Sequence, residues 1–282
     1  MRAFIETLSM IKIEHSIFAL PFTLAAAFLA ASGLPQPRIL ALIILATVLA
    51  RSAAMAFNRY LDADIDAQNP RTANRSIPAG RLTQNYALTF TLMNALLFVG
   101  VTLFINKLVA LMAPIFLLVI LGYSACKRFT SGSHLILGLA LGLAPIGAWA
   151  SVRGTLSWEP LVLALAVLSW VAGFDIIYAC QDLEFDRQKG LFSIPARLGV
   201  AKALRVSRLL HLVTVAALFL LGRMLSLDVF YYAGAVAMAA CLAYEHYLVW
   251  DGSLERVDQA FFTVNGMAGL AFGSLAITSV FI

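Results

Sequence analysis

The chain has 282 residues, of which 61% are hydrophobic and 12% charged, about half the charged share (~25%) of a soluble globular domain. That composition excludes a soluble fold, and the net charge of +5 says less than the side of the membrane on which the charges fall. The apolar residues come in runs of roughly 17–23, enough for a helix to cross a hydrocarbon core of ~30 Å. Stretches such as 39–49 and 209–221 are apolar on every face, which excludes the alternating strands of a β-barrel.

In chain order, spans are predicted near residues 15–33, 38–57, 86–105, 108–126, 133–152, 159–179, 207–224, 227–249 and 259–281. Arg2, Glu6, Lys12, Glu14 and His15 precede the first run and no small-residue cleavage site follows it, so it reads as a span rather than a signal peptide. Gly33-Leu34-Pro35-Gln36-Pro37 marks the first turn. The expected fold is an all-α integral membrane protein: about nine transmembrane helices in a bundle around a central cavity, forming one domain over 1–282, with two parallel pseudo-repeats. Cys126, Cys180 and Cys241 show no metal spacing, and an odd number argues against a disulfide framework.

Nine spans put the N-terminus and the loops after spans 2, 4, 6 and 8 on one side. Of the 20 Lys and Arg, fifteen fall there; Arg38, Lys107, Arg153 and Arg223 fall opposite, and Arg51 lies inside span 2. The basic side is therefore expected in the cytoplasm, the protein being a multi-pass component of the cell's inner membrane. Two long loops lie on this side, 58–85 and 180–206. Ser76-Ile77-Pro78-Ala79-Gly80-Arg81 in the first is echoed by Ser193-Ile194-Pro195-Ala196-Arg197 in the second. Four spans separate the loops, as parallel repeats require.

Each loop opens with an acidic cluster. Asn58, Asp62 and Asp66 are spaced four apart where span 2 emerges, and residues four apart share one helical face. Asp182 and Asp186 repeat the spacing after span 6, with Asp175 seven residues earlier and deeper in the membrane, while Asp64 and Glu184 are rotated away. Clustered carboxylates need positive compensation. Magnesium fits, since it prefers hard oxygen ligands and is held by one or two carboxylates plus substrate phosphates; no His or Cys accompanies the acids at zinc spacing. A lone DxxxD at a membrane surface usually reads as solvated, but two on one side, one with an aligned asparagine, point to a shared site. Arg71, Arg75, Lys127, Arg187 and Lys189 supply basic groups suited to phosphate. Arg51, seven residues before Asn58, is a costly charge within the hydrocarbon and is expected to function or to pair.

These residues resemble the UbiA superfamily of intramembrane prenyltransferases, in which NxxxDxxxD after the second helix and DxxxD after the sixth bind magnesium and the diphosphate of an isoprenyl donor. Asn58, Asp62, Asp66, Asp182 and Asp186 match those motifs; Arg51, RTANRSIPAG, Tyr123 with Lys127, and Asp175 with Tyr178 also look similar. The resemblance covers spans 1–6, and the last three offer no motif. Within the superfamily the chain looks most like the 4-hydroxybenzoate polyprenyltransferase branch. IKIEHSIFALPF and RSAAMAFNR resemble members assigned to menaquinone synthesis by the futalosine route, whose acceptor is a dihydroxynaphthoate.

The resemblance implies ionisation of an allylic diphosphate and attack by an electron-rich ring, in ubiquinone or menaquinone biosynthesis. Mg2+ would be held by Asn58, Asp62, Asp66, Asp182 and Asp186, and the diphosphate charge stabilised by Lys127, Arg71 and Arg75, with Arg51 and Lys189 as further substrate-binding candidates. Phe57, Tyr123 and Tyr178 are candidates to face the cation. Asp175, His15 and Lys12 are candidates to orient the acceptor or take its proton. Partners would be a polyprenyl diphosphate, a small aromatic acceptor and the bilayer, with no nucleic acid; oligomeric state leaves no trace. Haem or a glycerol phosphate is an alternative acceptor, and the rival of another class is a membrane transporter, which would place the acids at the midplane.

Overall fold

The computed structural model describes residues 2–12 and 16–282. His15 therefore lies outside the described residues. All regular elements among these residues are helical, and α1 (Arg2–Ile11) comes first. It is followed by α2 (Ser16–Ala31), α3 (Pro37–Leu61), α4 (Ala63–Gln68), α5 (Gln84–Leu103), α6 (Lys107–Cys126), α7 (Ser133–Arg153), α8 (Glu159–Ala179), α9 (Leu183–Lys189), α10 (Ile194–Leu198), α11 (Val200–Met224), α12 (Val229–Leu248) and α13 (Asn265–Thr278).

Nine of these elements occupy the expected spans, α13 being extended toward its N-terminus by a π-helical segment, Gln259–Val264. Among the described residues seven helices are long and apolar enough to cross a membrane, and Phe18–Ala31 is a shorter apolar helix. α12 reaches the length but carries Tyr231, Tyr232, Tyr244, Glu245 and His246, which lower its hydropathy. The protein is a multi-pass membrane protein. α1 was not expected: its Met10 and Ile11 pack with Ala56, Ile77, Leu82 and Ala87, and Glu6 accepts bonds from Ser76 (2.7 Å) and Arg81 (2.9 Å). It lies against the first loop and holds the SIPAGR phrase in place.

The bundle closes through small residues and a few buried polar ties. Gly138 and Gly142 of α7 face the backbone of Leu168 and Ala164 so closely that a side chain at Gly138 would overlap the Leu168 carbonyl. The central core combines Phe18, Phe22, Trp170, Phe174, Leu218, Tyr231 and Phe272 from α2, α8, α11, α12 and α13. Asn265, fully buried, accepts from Trp170 Nε1 at 2.6 Å and donates to Glu245 at 2.9 Å, joining α8, α12 and α13. A polar group enclosed in a membrane bundle is costly unless paired, so these bonds fix how the late helices sit against α8. The π-helical segment before Asn265 matters for the cavity: its Phe261 lines the wall and packs tilted against Tyr178, ring centroids 4.2 Å apart.

Candidate active site

The two acidic loops adopt the same local geometry. α3 ends at Leu61, and Asp62 links it to α4 with φ −93° and ψ 3°; Asp182 precedes α9 with φ −96° and ψ 4°. The break in α3 does not turn the chain away, because Asp62 N–H still bonds Asn58 O at 2.9 Å and Asp66 N–H bonds Asp62 O at 2.7 Å. The expected stripe of Asn58, Asp62 and Asp66 thus survives a helix boundary. Asp64 and Glu184 are exposed, as their helical phase requires.

The loops meet. Arg71 Nε donates to Asp182 Oδ1 at 2.9 Å while its Nη2 contacts Oδ2, a two-pronged pair, and its Nη1 donates to Tyr178 Oη at 2.8 Å. Asn69 Nδ2 also donates to Asp182 Oδ1 at 3.0 Å. Burial pulls the Arg71 guanidinium down, but the bonds and charge of Asp182 outweigh this and hold it above its ordinary value, so it stays charged. Arg75 Nη1 bridges both Asp66 oxygens at 2.7 and 2.8 Å. Asp62, 2% exposed, accepts from Lys127 Nζ at 2.5 Å, Arg128 Nη1 at 3.0 Å and Asn58 Nδ2 at 3.1 Å. Buried Arg59 completes the ring, donating to Asn58 Oδ1 at 3.3 Å.

Sequence reasoning gave the compensation of these carboxylates to magnesium and the basic residues to phosphate; here Asp66 and Asp182 are held by Arg75 and Arg71 of the first loop, and Asp62 by Lys127 and Arg128 at the end of α6. Carboxylates at a half-buried helix end need compensation, and the basic residues nearby provide it. Among the described residues no three His, Cys, Asp or Glu side chains form a metal-holding group. The donor chemistry nonetheless fits magnesium: each loop offers two carboxylates, the first adds an amide oxygen, and one or two carboxylates plus phosphate oxygens suffice for this ion.

These groups form the polar end of a cavity of about 420 Å³, within the range of ligand sites. Its wall includes Asn58, Arg59, Asp62, Asp66, Asn69, Arg71, Arg75, Tyr123, Lys127, Asp175, Tyr178, Asp182 and Asp186. It continues past Ile120, Phe116 and Ala113 to Val109, about 27 Å along α6 from Lys127 at ~1.5 Å per residue, and so runs nearly the depth of a bilayer. The lane is open because Ala46, Ala50, Ala113, Ala140, Ala144 and Gly147 line it where larger side chains would fill it.

Other expectations fare differently. Arg51 lines the cavity but also donates to the carbonyls of Ile11 and Lys12 at 3.2 and 3.1 Å, closing the end of α1. Lys12, with φ 50°, lies in that turn and is not among the lining residues. Lys189 donates to Gln68 at 2.6 Å, tying loop to loop outside the cavity wall. Arg187 donates to the Ala196 carbonyl at 3.0 Å. Phe57 is turned from the cavity toward Tyr60, its ring 6.1 Å away. Arg59, Asn69, Arg128 and His134 were not singled out. Arg128 adjoins Lys127 and Asn69 lies two residues before Arg71, but their reach to Asp62 and Asp182 has no sequence signature.

The family model for the UbiA prenyltransferase family matches residues 19–267. The chain belongs to the UbiA prenyltransferase family. It is an enzyme, a prenyltransferase, and the acids of its two loops lie together at one end of the cavity. It is similar to the 4-hydroxybenzoate octaprenyltransferase of Vibrio cholerae, with 33% identity over 99% of this chain and 98% of the relative. The enzyme of the same name from Alkalilimnicola ehrlichii is 30% identical over 89% of this chain and 85% of its own. Among solved structures, the apo UbiA homolog from Aeropyrum pernix K1 superposes with a TM-score of 0.84 and 31% identity, covering 92% of this chain and 97% of its own. The UbiA homolog from Archaeoglobus fulgidus bound to DMAPP and Mg2+ shares the fold, with a TM-score of 0.77 and 18% identity over 98% and 99% of the chains.

Proposed function

We propose that this UbiA-family enzyme transfers a polyprenyl group from a polyprenyl diphosphate to an aromatic acid of the 4-hydroxybenzoate type. The supporting observation is the cavity's polarity: carboxylates and cations at one end, an apolar lane of bilayer depth beyond. That arrangement suits a substrate with a charged head and a long hydrocarbon tail. Full-length similarity to enzymes named 4-hydroxybenzoate octaprenyltransferase favours the aromatic acceptor.

Magnesium, held by Asn58, Asp62, Asp66, Asp182 and Asp186, would neutralise charge on the diphosphate. The chain's own groups then have separate tasks. Lys127, Arg71 and Arg75 reach the same polar end and are placed to receive diphosphate oxygens as they exchange their carboxylate partners for substrate. Tyr178 and Tyr123 face the reacting end, where a ring face stabilises developing positive charge. Phe18, Phe174, Phe116 and the alanine lane exclude water, whose attack on the prenyl cation is the competing reaction. Arg51 is assigned a substrate contact from the α3 wall.

The basic loops support a cytoplasmic active site in the cell's inner membrane. Walls contributed from α2 through Phe261 support a single catalytic domain. The test is incubation of membranes containing the protein with a polyprenyl diphosphate, Mg2+ and either 4-hydroxybenzoate or 1,4-dihydroxy-6-naphthoate. Prenylated 4-hydroxybenzoate is expected. Product only with the naphthoate would move the enzyme to the menaquinone route, and no product with either would overturn the reading.

A further inference from the structure

We propose that Asp175 and His134 act as a dyad on the acceptor side of the cavity, Asp175 taking the proton of the acceptor's ring hydroxyl and His134 holding that carboxylate in position. The inference rests on aromatic prenyl transfer as the function. His134, at the start of α7, is 4% exposed, and its Nδ1 lies 2.6 Å from Asp175 Oδ2. Its Nε2 accepts the backbone N–H of Ile194 at 3.3 Å. That nitrogen therefore carries no proton, which places the proton on Nδ1, donating to Asp175. The imidazole is neutral and anchored in the second loop's SIPAR phrase.

Asp175 shares with Asp186 the lack of a Lys or Arg within 4.0 Å among the described residues, and is set apart from Asp186 by its bond to His134. Asp62, Asp66 and Asp182 are bound by ammonium or guanidinium groups, which occupy their oxygens. Among the described residues Asp175 has no Lys or Arg partner within 4.0 Å, and its Oδ1 has no hydrogen bond. Its side chain is 24% exposed and lines the cavity, whereas the His134 side chain, at 5%, is enclosed. One oxygen is bonded to His134 and the other is left for the acceptor. Tyr123, Lys127, Tyr178, Asp182 and Asp186 are among the other titratable groups on the cavity wall.

Position agrees with the role. Asp175, in α8, lies seven residues before Asp182, which follows the end of that helix, and so sits about 10 Å deeper. That is where a ring belongs if it lies beyond the allylic carbon of a diphosphate held at Asp182. As the allylic C–O bond breaks, its electron pair leaves with the diphosphate, and the ring carbon beside the hydroxyl forms the new C–C bond. The hydroxyl proton passes to Asp175, so the oxygen lone pair supplies the electrons and the ring becomes a neutral dienone. The substituted carbon then loses its proton to the released diphosphate, and Asp175 returns its own to the oxygen, restoring the aromatic hydroxyl.

The experiment compares wild type, Asp175→Asn, His134→Ala and His134→Asn in membranes with polyprenyl diphosphate, Mg2+ and 4-hydroxybenzoate, quantifying prenylated ring and free prenyl alcohol together. Asp175→Asn is expected to lower kcat for ring transfer about 100-fold or more, with donor KM within about threefold and the alcohol-to-ring ratio raised. His134→Ala is expected to lose about 10-fold, most of it recovered in His134→Asn, whose amide keeps an N–H near the Nδ1 position. An unaffected His134→Ala, or no rescue by asparagine, overturns the positioning role. Equal loss of alcohol and ring product in Asp175→Asn overturns the proton transfer, since the defect would then lie in ionisation. A wild type that prenylates no ring overturns the function itself, and the dyad with it, through a different readout.

Discussion

Asp62 is the residue whose loss should be felt twice, in stability and in turnover. It is 2% exposed and stands between Lys127 Nζ at 2.5 Å and Arg128 Nη1 at 3.0 Å. Asp62→Asn keeps the shape but leaves two cations facing a neutral amide. Removing one partner of a fully buried pair costs about 3–5 kcal/mol. Here Lys127 and Arg128 are each 32% exposed, so water takes part of that load and about 2–3 kcal/mol remains. At roughly 2–4 °C per kcal/mol for a chain of this size, the apparent melting temperature in detergent should fall by about 4–12 °C. Lys127→Met alone should cost less, because Arg128 stays on Asp62, and Asp62→Asn with Lys127→Met should recover at least about 1 kcal/mol relative to additivity. Prenyl transfer should be lost about 100-fold or more in Asp62→Asn and should not return in the double variant, since a carboxylate and a cation of the diphosphate site are both gone. A single variant that melts with wild type, together with zero coupling, would refute the electrostatic account; near-normal turnover would remove Asp62 from the site.

Arg71→Ala should raise the donor KM about 10- to 100-fold, since it removes a charged two-pronged donor, while Tyr178→Phe, losing one hydroxyl contact, should cost much less; equal effects would mean that Arg71 acts only through Tyr178. Chelation of Mg2+ should abolish transfer and added Mg2+ should restore it, measured as prenylated ring; transfer that survives chelation refutes the assignment of the acids to a metal. Gly138→Ala should destabilise the bundle by about 1–3 kcal/mol by forcing α7 from α8, read as a lower melting temperature, and should weaken catalysis because His134 moves with α7.

Several features of the site were legible in one dimension because they obey helical periodicity. Asn58, Asp62 and Asp66 share a face by four-residue spacing, and the fold keeps that spacing even though α3 breaks at Asp62. Apolar run length was enough to place the bundle's helices, since bilayer thickness fixes the length of a span. α1 escaped notice because a ten-residue helix lying on a loop leaves neither a long apolar run nor a motif.

What the sequence determined by itself was the membrane class, the helix positions and the chemistry gathered in two loops, all set by local rules of length and phase. Which carboxylate meets which cation was decided by the tertiary structure alone. Arg71 crosses from the first loop to Asp182, and Arg128 from the end of α6 to Asp62, contacts between residues 111 and 66 positions apart. His134 illustrates the same limit. Nothing in its own neighbourhood marks it, and it acquires a partner only because the α7–α8 packing at Gly138 and Gly142 brings it to Asp175. Side-chain chemistry is written residue by residue, but compensation of buried charge is a property of the packed bundle, where the low dielectric makes every unpaired charge costly.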